Sequence, residues 1–282
     1  GQADLVLAEL TVLAPNGVEE ERGDGYVEYA IYGGEGELPD LGEVEAAAGE
    51  GLVEVVATEV PDDWADRWRD FHRPVLIGDR LCVRPSWEPG ERRKSDAPQP
   101  GSSRASGSRG DALDVVVDPG RAFGTGAHPT TRLCLELLLD LEAAGEARGA
   151  LVDLGSGSGV LAIAAAKLGW APVRGCDHEA AAVEAARANA LANGVAIEFE
   201  RRDLRRGLPD LPPTVVANLT APLLTIVAAQ LGADRAPRTL VCSGLLPVEL
   251  DEVATAFDSA GLAEAERRVE GDWAALLMRA NR

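Results

Sequence analysis

Residues Leu151–Asp177, LVDLGSGSGVLAIAAAKLGWAPVRGCD, constrain the fold of this chain more than any other stretch. Leu151, Val152 and Leu154 predict a buried strand, with Asp153 near its C-terminal end. Gly155, Gly157 and Gly159 let the backbone turn tightly and approach a ligand, because no Cβ intervenes. Val160–Leu168 is apolar and helical, and Gly169 ends it. Asp177 then closes a second strand, where an acid can accept hydrogen bonds from both hydroxyls of a ribose. An α/β fold with a nucleoside-cofactor site is the expectation.

The glycines alone leave the nucleoside open. Gly157-Ser158-Gly159-Val160-Leu161-Ala162 fits the G-x-G-x-x-A dinucleotide fingerprint, with Asp177 at about the expected 20-residue offset. On that fragment a nicotinamide dehydrogenase stays in play. The same residues fit D-x-G-x-G-x-G, the first motif of S-adenosylmethionine-dependent methyltransferases. Asp153 weighs between the two: it would repel a pyrophosphate but attract a sulfonium ligand bearing an amino group. In that reading Asp153 helps to hold the methionine ammonium, directly or through water. An ordinary glycine turn closing a βαβ unit is the third possibility.

Composition sets outer limits. A chain of 282 residues has room for two domains with their own cores. A formal net charge of −20 opposes general binding to nucleic-acid backbones and permits a basic protein partner. A halophilic or GC-rich proteome would give the same acidity with no partner. Cys82, Cys134, Cys176 and Cys242 are widely spaced, without a C-x-x-C pair, so buried thiols in a reducing cytoplasm are expected rather than disulfides or zinc. No signal peptide and no 18-residue apolar span is evident.

The chain divides visibly. Glu88 to Asp111 is polar, aperiodic and rich in Ser, Gly, Pro and Arg, the signature of a linker. Residues 1–87 before it read as a small α+β domain of ferredoxin-like type: a helix at Leu5–Leu13, a strand at Gly25–Tyr32, a helix at Asp40–Glu50 and a strand at Leu52–Glu59. Trp64, Trp68, Phe71 and Trp87 are expected in its core. Residues 112–282 alternate helices, near Thr131–Ala144, Glu179–Ala192, Ala221–Leu231 and Pro247–Ala260, with strands. The strands are Leu151–Leu154, Val173–Cys176, Ile197–Phe199, Thr214–Ala217 and Thr239–Cys242, then Glu264–Val269 and Trp273–Met278 as a hairpin. Asn193-Gly194 closes its helix with residues that tolerate a left-handed backbone. A doubly wound sheet ending in an antiparallel hairpin is the architecture of class I methyltransferases and is unusual for a dehydrogenase.

Two segments flank this unit. In DPGRAFGTGAHPTTRLCLELL, Gly124 and Gly126 make a turn, His128-Pro129 stiffens its exit, and Thr130 or Thr131 is expected to cap the next helix. Such a loop is either a plain cap or a cover over the ligand. In VVANLTAPLL, Asn218 ends the fourth strand, where an open α/β sheet presents residues to its ligand. Its amide can orient an amine or grip a cofactor, though asparagine is also common in strand-end turns.

FGTGAHPTT, DLGSGSGVLAIAAAKLG and VANLTAPLL, in this order, resemble the PrmA-type ribosomal-protein methyltransferases. WADRWRDFHRPVLIGDRLCVRPSWEP and EGDWAALLMRA are similar to that family's domain join and C-terminal hairpin. The resemblance covers roughly the last four-fifths of the chain. It implies a ferredoxin-like substrate-recognition domain, a linker, a class I (Rossmann-like) methyltransferase domain, and S-adenosylmethionine as cofactor. It further implies ribosomal protein eleven of the large subunit as substrate, methylated on lysine or α-amino nitrogen by a cytoplasmic enzyme acting as a monomer. Cofactor contacts carried over are Thr131, Gly155, Gly157, Asp177 and Asn218, with Asp153, Phe123 and Gly124 beside them and Asp203 near the adenine. The family's first domain opens with a strand before its first helix, which this chain lacks, so a short N-terminus is expected to leave an open sheet edge.

The transfer is in-line, from sulfonium to amine, and mainly needs alignment. The acceptor lysine must first lose a proton from a group of ordinary pKa about 10.4, helped by desolvation. No general base stands out: His128 reads as structural with Pro129, His72 belongs to the aromatic join, and His178 flanks its helix. Asn218 is the residue expected to orient the acceptor. Other readings are a same-fold enzyme acting on another protein or a small molecule, and a non-catalytic S-adenosylmethionine-binding module.

Overall fold

The computed structural model describes residues 19–23, 26–30, 73–88, 112–118, 128–232 and 236–281. The chain folds as two compact units, Gly1–Arg67 and Trp68–Arg282. Of the first unit, β1 (Glu19–Gly23) and β2 (Tyr26–Ala30) are described; they pair antiparallel, with Glu19 opposite Ala30. β2 falls in the strand expected at Gly25–Tyr32, whereas β1 was not foreseen. The expected elements at Leu5–Leu13, Asp40–Glu50 and Leu52–Glu59, and the aromatic residues Trp64, Trp68 and Phe71, lie outside the described residues.

The second unit is built on a seven-stranded sheet. Its strands are β6 (Leu151–Leu154), β7 (Val173–Asp177), β8 (Ile197–Arg201), β9 (Thr214–Asn218), β10 (Thr239–Leu245), β11 (Leu262–Glu270) and β12 (Trp273–Ala280), in the order β11-β12-β10-β9-β6-β7-β8. β6 to β10 run parallel, and β12 pairs antiparallel with both β10 and β11. The chain leaves β6 toward β7 on one side and returns to β9 on the other. That reversal opens a crevice at the C-terminal ends of β6 and β9, where open α/β sheets bind ligands.

Two helical layers cover the sheet, and strand periodicity decides which side chain meets which layer. Val216, Val241, Ala275 and Leu277 face α1 (Pro129–Ala143), α2 (Val160–Leu168) and α3 (Ala180–Ala192). Their neighbours Val215, Ala217, Leu240, Cys242 and Leu276 face α4 (Ala221–Gln230) and α5 (Leu250–Ser259). The central parallel strands β6, β9 and β10 are mostly apolar because both their faces are buried, whereas β8 at the sheet edge, IEFER, exposes Glu198, Glu200 and Arg201. Cys134, Cys176 and Cys242 are buried and unbridged, and burial pushes the Cys176 and Cys242 thiols up to about 12.

A second, three-stranded sheet was not foreseen. β3 (Val75–Ile77) pairs antiparallel with β4 (Leu81–Arg84), which pairs parallel with β5 (Leu113–Val116). Ile77, Leu81, Val83 and Val115 join the core under α1 and α2. Residues 73–87, read from the sequence as the end of the first domain, therefore lie in the same compact unit as β5. The expected linker, 88–111, lies outside the described residues except for Glu88. Asn193 has φ −88, and Gly194 takes the left-handed turn at φ +66. Asn193 instead holds β5: its Oδ1 accepts from Val116 N at 2.9 Å and its Nδ2 donates to Val116 O at 2.6 Å.

Candidate functional site

The crevice is a cleft of about 240 Å³ at the C-terminal ends of β6, β7 and β9. Thr131, Gly155, Gly157, Asp177, Asp203 and Asn218, all singled out from the sequence, line it. Phe123 and Gly124 lie outside the described residues.

The glycine turn forms the floor. Gly155 has φ +73, a left-handed turn that a side chain would strain, and the Leu219 side chain packs into the space a Cβ would take, with Cδ2 at 2.3 Å. Gly159, at φ +80, is the N-cap of α2 and offers no side chain to its free amides. Asp153 supplies one from below: its Oδ2 accepts from Ala162 N at 3.2 Å. Asp153 is not among the lining residues; it is 0% exposed and lies under the turn. Its Oδ1 is buried without a hydrogen-bond partner. Burial, opposed by the Ala162 hydrogen bond and aided by the Asp177 carboxylate, pushes Asp153 up to about 7.

Asp177 ends β7 with its carboxylate braced at both oxygens. Oδ2 accepts from Gly157 N at 2.9 Å and Oδ1 from Glu179 N at 3.0 Å. Each oxygen retains acceptor capacity, so the group suits a pair of vicinal hydroxyls. Asp203 Oδ1 accepts from Arg205 N at 3.0 Å on the far wall. Arg202, not foreseen, also lines the cleft, and its N donates to Asp177 O at 2.7 Å.

On the opposite wall Asn218 Nδ2 donates to Thr130 Oγ1 at 3.1 Å and to Thr131 Oγ1 at 3.3 Å. The expected cap role of the threonines is corrected. His128 is the N-cap of α1, its Nδ1 accepting from Thr130 N at 3.4 Å. Both threonines are buried, and their hydroxyl oxygens accept from Asn218 Nδ2, while Thr130 Oγ1 also lies 2.8 Å from His128 Nδ1.

Leu219 and Gly244 were also missed. Leu219 N donates to Ser243 O at 2.9 Å, and a Cβ on Gly244 (φ +87) would lie 2.4 Å from Leu219 O. Gly244 sits at a register shift between β10 and β12. A glycine inside a strand is the available signal for such close backbone approach. Among the described residues no group of His, Cys, Asp and Glu is arranged to hold a metal ion, and no helix is long and apolar enough to cross a membrane.

Comparison with known proteins is specific. The family model described as Ribosomal protein L11 methyltransferase (PrmA) matches residues 40–281. The ribosomal protein L11 methyltransferase of Geobacter metallireducens is 42% identical over 226 residues, 80% of this chain and 69% of that protein. That of Heliobacterium modesticaldum is 36% identical over 221 residues, 77% of this chain and 64% of that protein. A crystal structure of ribosomal protein L11 methylase from Lactobacillus delbrueckii subsp. bulgaricus superposes with a TM-score of 0.60 at 26% identity, covering 75% of this chain and all of that one. With the model spanning most of its length, the chain belongs to the ribosomal protein L11 methyltransferase (PrmA) family.

Proposed function

We propose that the chain is an S-adenosylmethionine-dependent N-methyltransferase that acts on lysine or α-amino groups of ribosomal protein L11. Family membership supports the reaction and the cofactor, and the relatives' names support the substrate. The observation that carries the site is the pair of acids around the glycine turn: Asp177 in the cleft wall and Asp153 beneath the floor. Asp177 suits the ribose of either kind of nucleoside cofactor, whereas an ionised Asp153 repels a dinucleotide pyrophosphate and attracts a cationic amino-acid moiety. The unpartnered Asp153 Oδ1 and the absence of any Cβ at Gly155 fit such a ligand.

The cofactor, when bound, supplies an electrophilic methyl group on a good leaving group. Asp177 accepts the ribose hydroxyls, braced by the Gly157 and Glu179 amides. Asp203 stands on the wall assigned to the adenine. Asp153 offsets the ammonium through the turn. Thr131 and Asn218 close the side from which the acceptor nitrogen approaches, and Asn218 orients that nitrogen. Apolar lining from Val160, Leu161 and Leu223 desolvates the approaching ammonium and favours its neutral, nucleophilic form. Residues 1–67 are assigned to substrate recognition as an α+β module, and the ribosomal acceptor supports a cytoplasmic site of action. The net charge of −20 opposes binding to nucleic-acid backbones and permits a basic protein as partner.

Incubation with S-adenosylmethionine and purified L11, read by intact mass and peptide mapping, tests this reading. Methyl-sized mass additions are expected, and they are expected to disappear in an Asp177→Ala variant. Cofactor binding with no addition to L11 would overturn the substrate assignment.

A further inference from the structure

Asn218 is held by a chain of hydrogen bonds whose direction matters. Its Nδ2 reaches Thr130 Oγ1 at 3.1 Å, and that oxygen lies 2.8 Å from His128 Nδ1. Such a row can run in either sense, because a hydroxyl both donates and accepts and a side-chain amide can turn over. With Nδ1 bare, the Thr130 hydroxyl donates a hydrogen bond to the ring. Oγ1 is then left to accept, and Asn218 must turn its NH₂ toward it. With a proton on Nδ1, the ring donates to Oγ1, the hydroxyl proton swings to Asn218, and the amide must present its oxygen.

One backbone group favours the first sense. Thr130 N–H also points at His128 Nδ1, at 3.4 Å, as the cap of α1. A nitrogen that accepts there carries no proton. The Trp273 ring of β12 stands edge-on to the imidazole, with centroids 4.7 Å apart at 68°, and restrains the ring plane. Arg132 of α1, ion-paired with Glu270 of β11, lies close enough to disfavour a second ring proton, as burial does more strongly. These contacts suit a neutral imidazole with its proton on Nε2.

The consequence falls on the acceptor. An amine held through one of its N–H bonds by a carbonyl oxygen keeps its lone pair for the methyl carbon. An amide NH₂ facing the cleft would donate to that same lone pair and block it. We propose that His128 and Thr130 are positioning residues for methyl transfer: His128 Nδ1 orders the Thr130 hydroxyl, which turns the Asn218 NH₂ inward and its carbonyl oxygen toward the acceptor nitrogen. This rests on the function proposed above.

The test compares Thr130→Val and Thr130→Ser with the wild-type chain, each checked for retained folding by its unfolding midpoint. Thr130→Val keeps the branched shape without the hydroxyl and is expected to lower kcat about tenfold, the weight of one net hydrogen bond. KM for L11 is expected to stay close to wild type, and Thr130→Ser to recover most of kcat. In parallel, ¹⁵N–¹H spectra of histidine-labelled protein with S-adenosylmethionine at pH 8, assigned with His128→Asn, are expected to show Nδ1 without a proton. A protonated Nδ1, wild-type kcat in Thr130→Val, or a Thr130→Ser variant as slow as Thr130→Val would each overturn the proposal. A wild-type chain that binds the cofactor but transfers no methyl group overturns the underlying function instead, and is distinguished by that.

Discussion

Asp153→Asn isolates the cost of a charge buried beneath the cofactor turn. The side chain is 0% exposed, with one oxygen on the Ala162 amide and the other unpartnered. Unfolded, Asp153 releases its proton near the ordinary value of 3.8; folded, it holds it until about 7. Between those values the folded state binds more protons, so this group's contribution to stability falls as pH rises, and the full penalty is carried above the window. The interval corresponds to about 4 kcal/mol. Asparagine has nearly the same shape, keeps an acceptor for the Ala162 amide and carries no charge. Urea unfolding of both chains is expected to show Asp153→Asn gaining on the wild type by about 3 kcal/mol between pH 5 and pH 8. The difference between chains removes the contributions of every other titrating group. Cofactor binding adds a second signature. A cationic amino group relieves the same penalty, so wild-type affinity is expected to rise with pH up to about 7, and Asp153→Asn to lose that dependence. A stability difference that does not change with pH would refute the burial argument.

Two further substitutions probe the cleft and its scaffold. Asp177→Asn leaves one acceptor for the two amides of Gly157 and Glu179 and removes the charge offered to a ribose. Calorimetry is expected to show S-adenosylmethionine binding weakened at least about tenfold, and an unchanged Kd would remove Asp177 from the cofactor site. Gly244→Ala drives a Cβ against the Leu219 carbonyl, whereas Gly261→Ala, at the similar φ of +89, meets nothing within 4 Å. Gly261→Ala is expected to cost only the left-handed backbone, about 1–2 kcal/mol. Gly244→Ala is expected to unfold at a clearly lower temperature and to lose activity through the adjoining Asn218; equal midpoints would show that the Leu219 backbone yields.

Much of the fold was legible because its signals are local. Alternating apolar runs and helical periods marked β6 to β10 and the helices between them, and their ends came within a few residues of those observed. The same is true of the acid-and-glycine pattern from Asp153 to Asp177. Spacing along one βαβ unit brings the glycine turn and the Asp177 carboxylate to one cleft, whatever the rest of the chain does. Asn218 could be placed at the cleft from the sequence because it ends a strand whose C-terminal end faces the crevice.

What tertiary structure decided depends on partners far away in the chain. β3, β4 and β5 are short and only partly apolar, and they become strands because β4 and β5 pair across about thirty residues and bury Val83 and Val115 against α1 and α2. No local pattern announces that pairing. His128 caps α1, and the hydroxyl oxygens of Thr130 and Thr131 accept from Asn218, a partner supplied by a strand some ninety residues later. Leu219, clamped between Gly155 and Gly244, exists as a feature only once β6, β9 and β10 lie side by side. Asp153 carries the same lesson. Its place in the motif could be read directly, but burial beneath the turn, with one oxygen left unpaired, is set by the packed sheet and by α2. Residue order determined which chemistry is available; the desolvation and hydrogen-bond direction that tune it arise from atoms brought together by the fold.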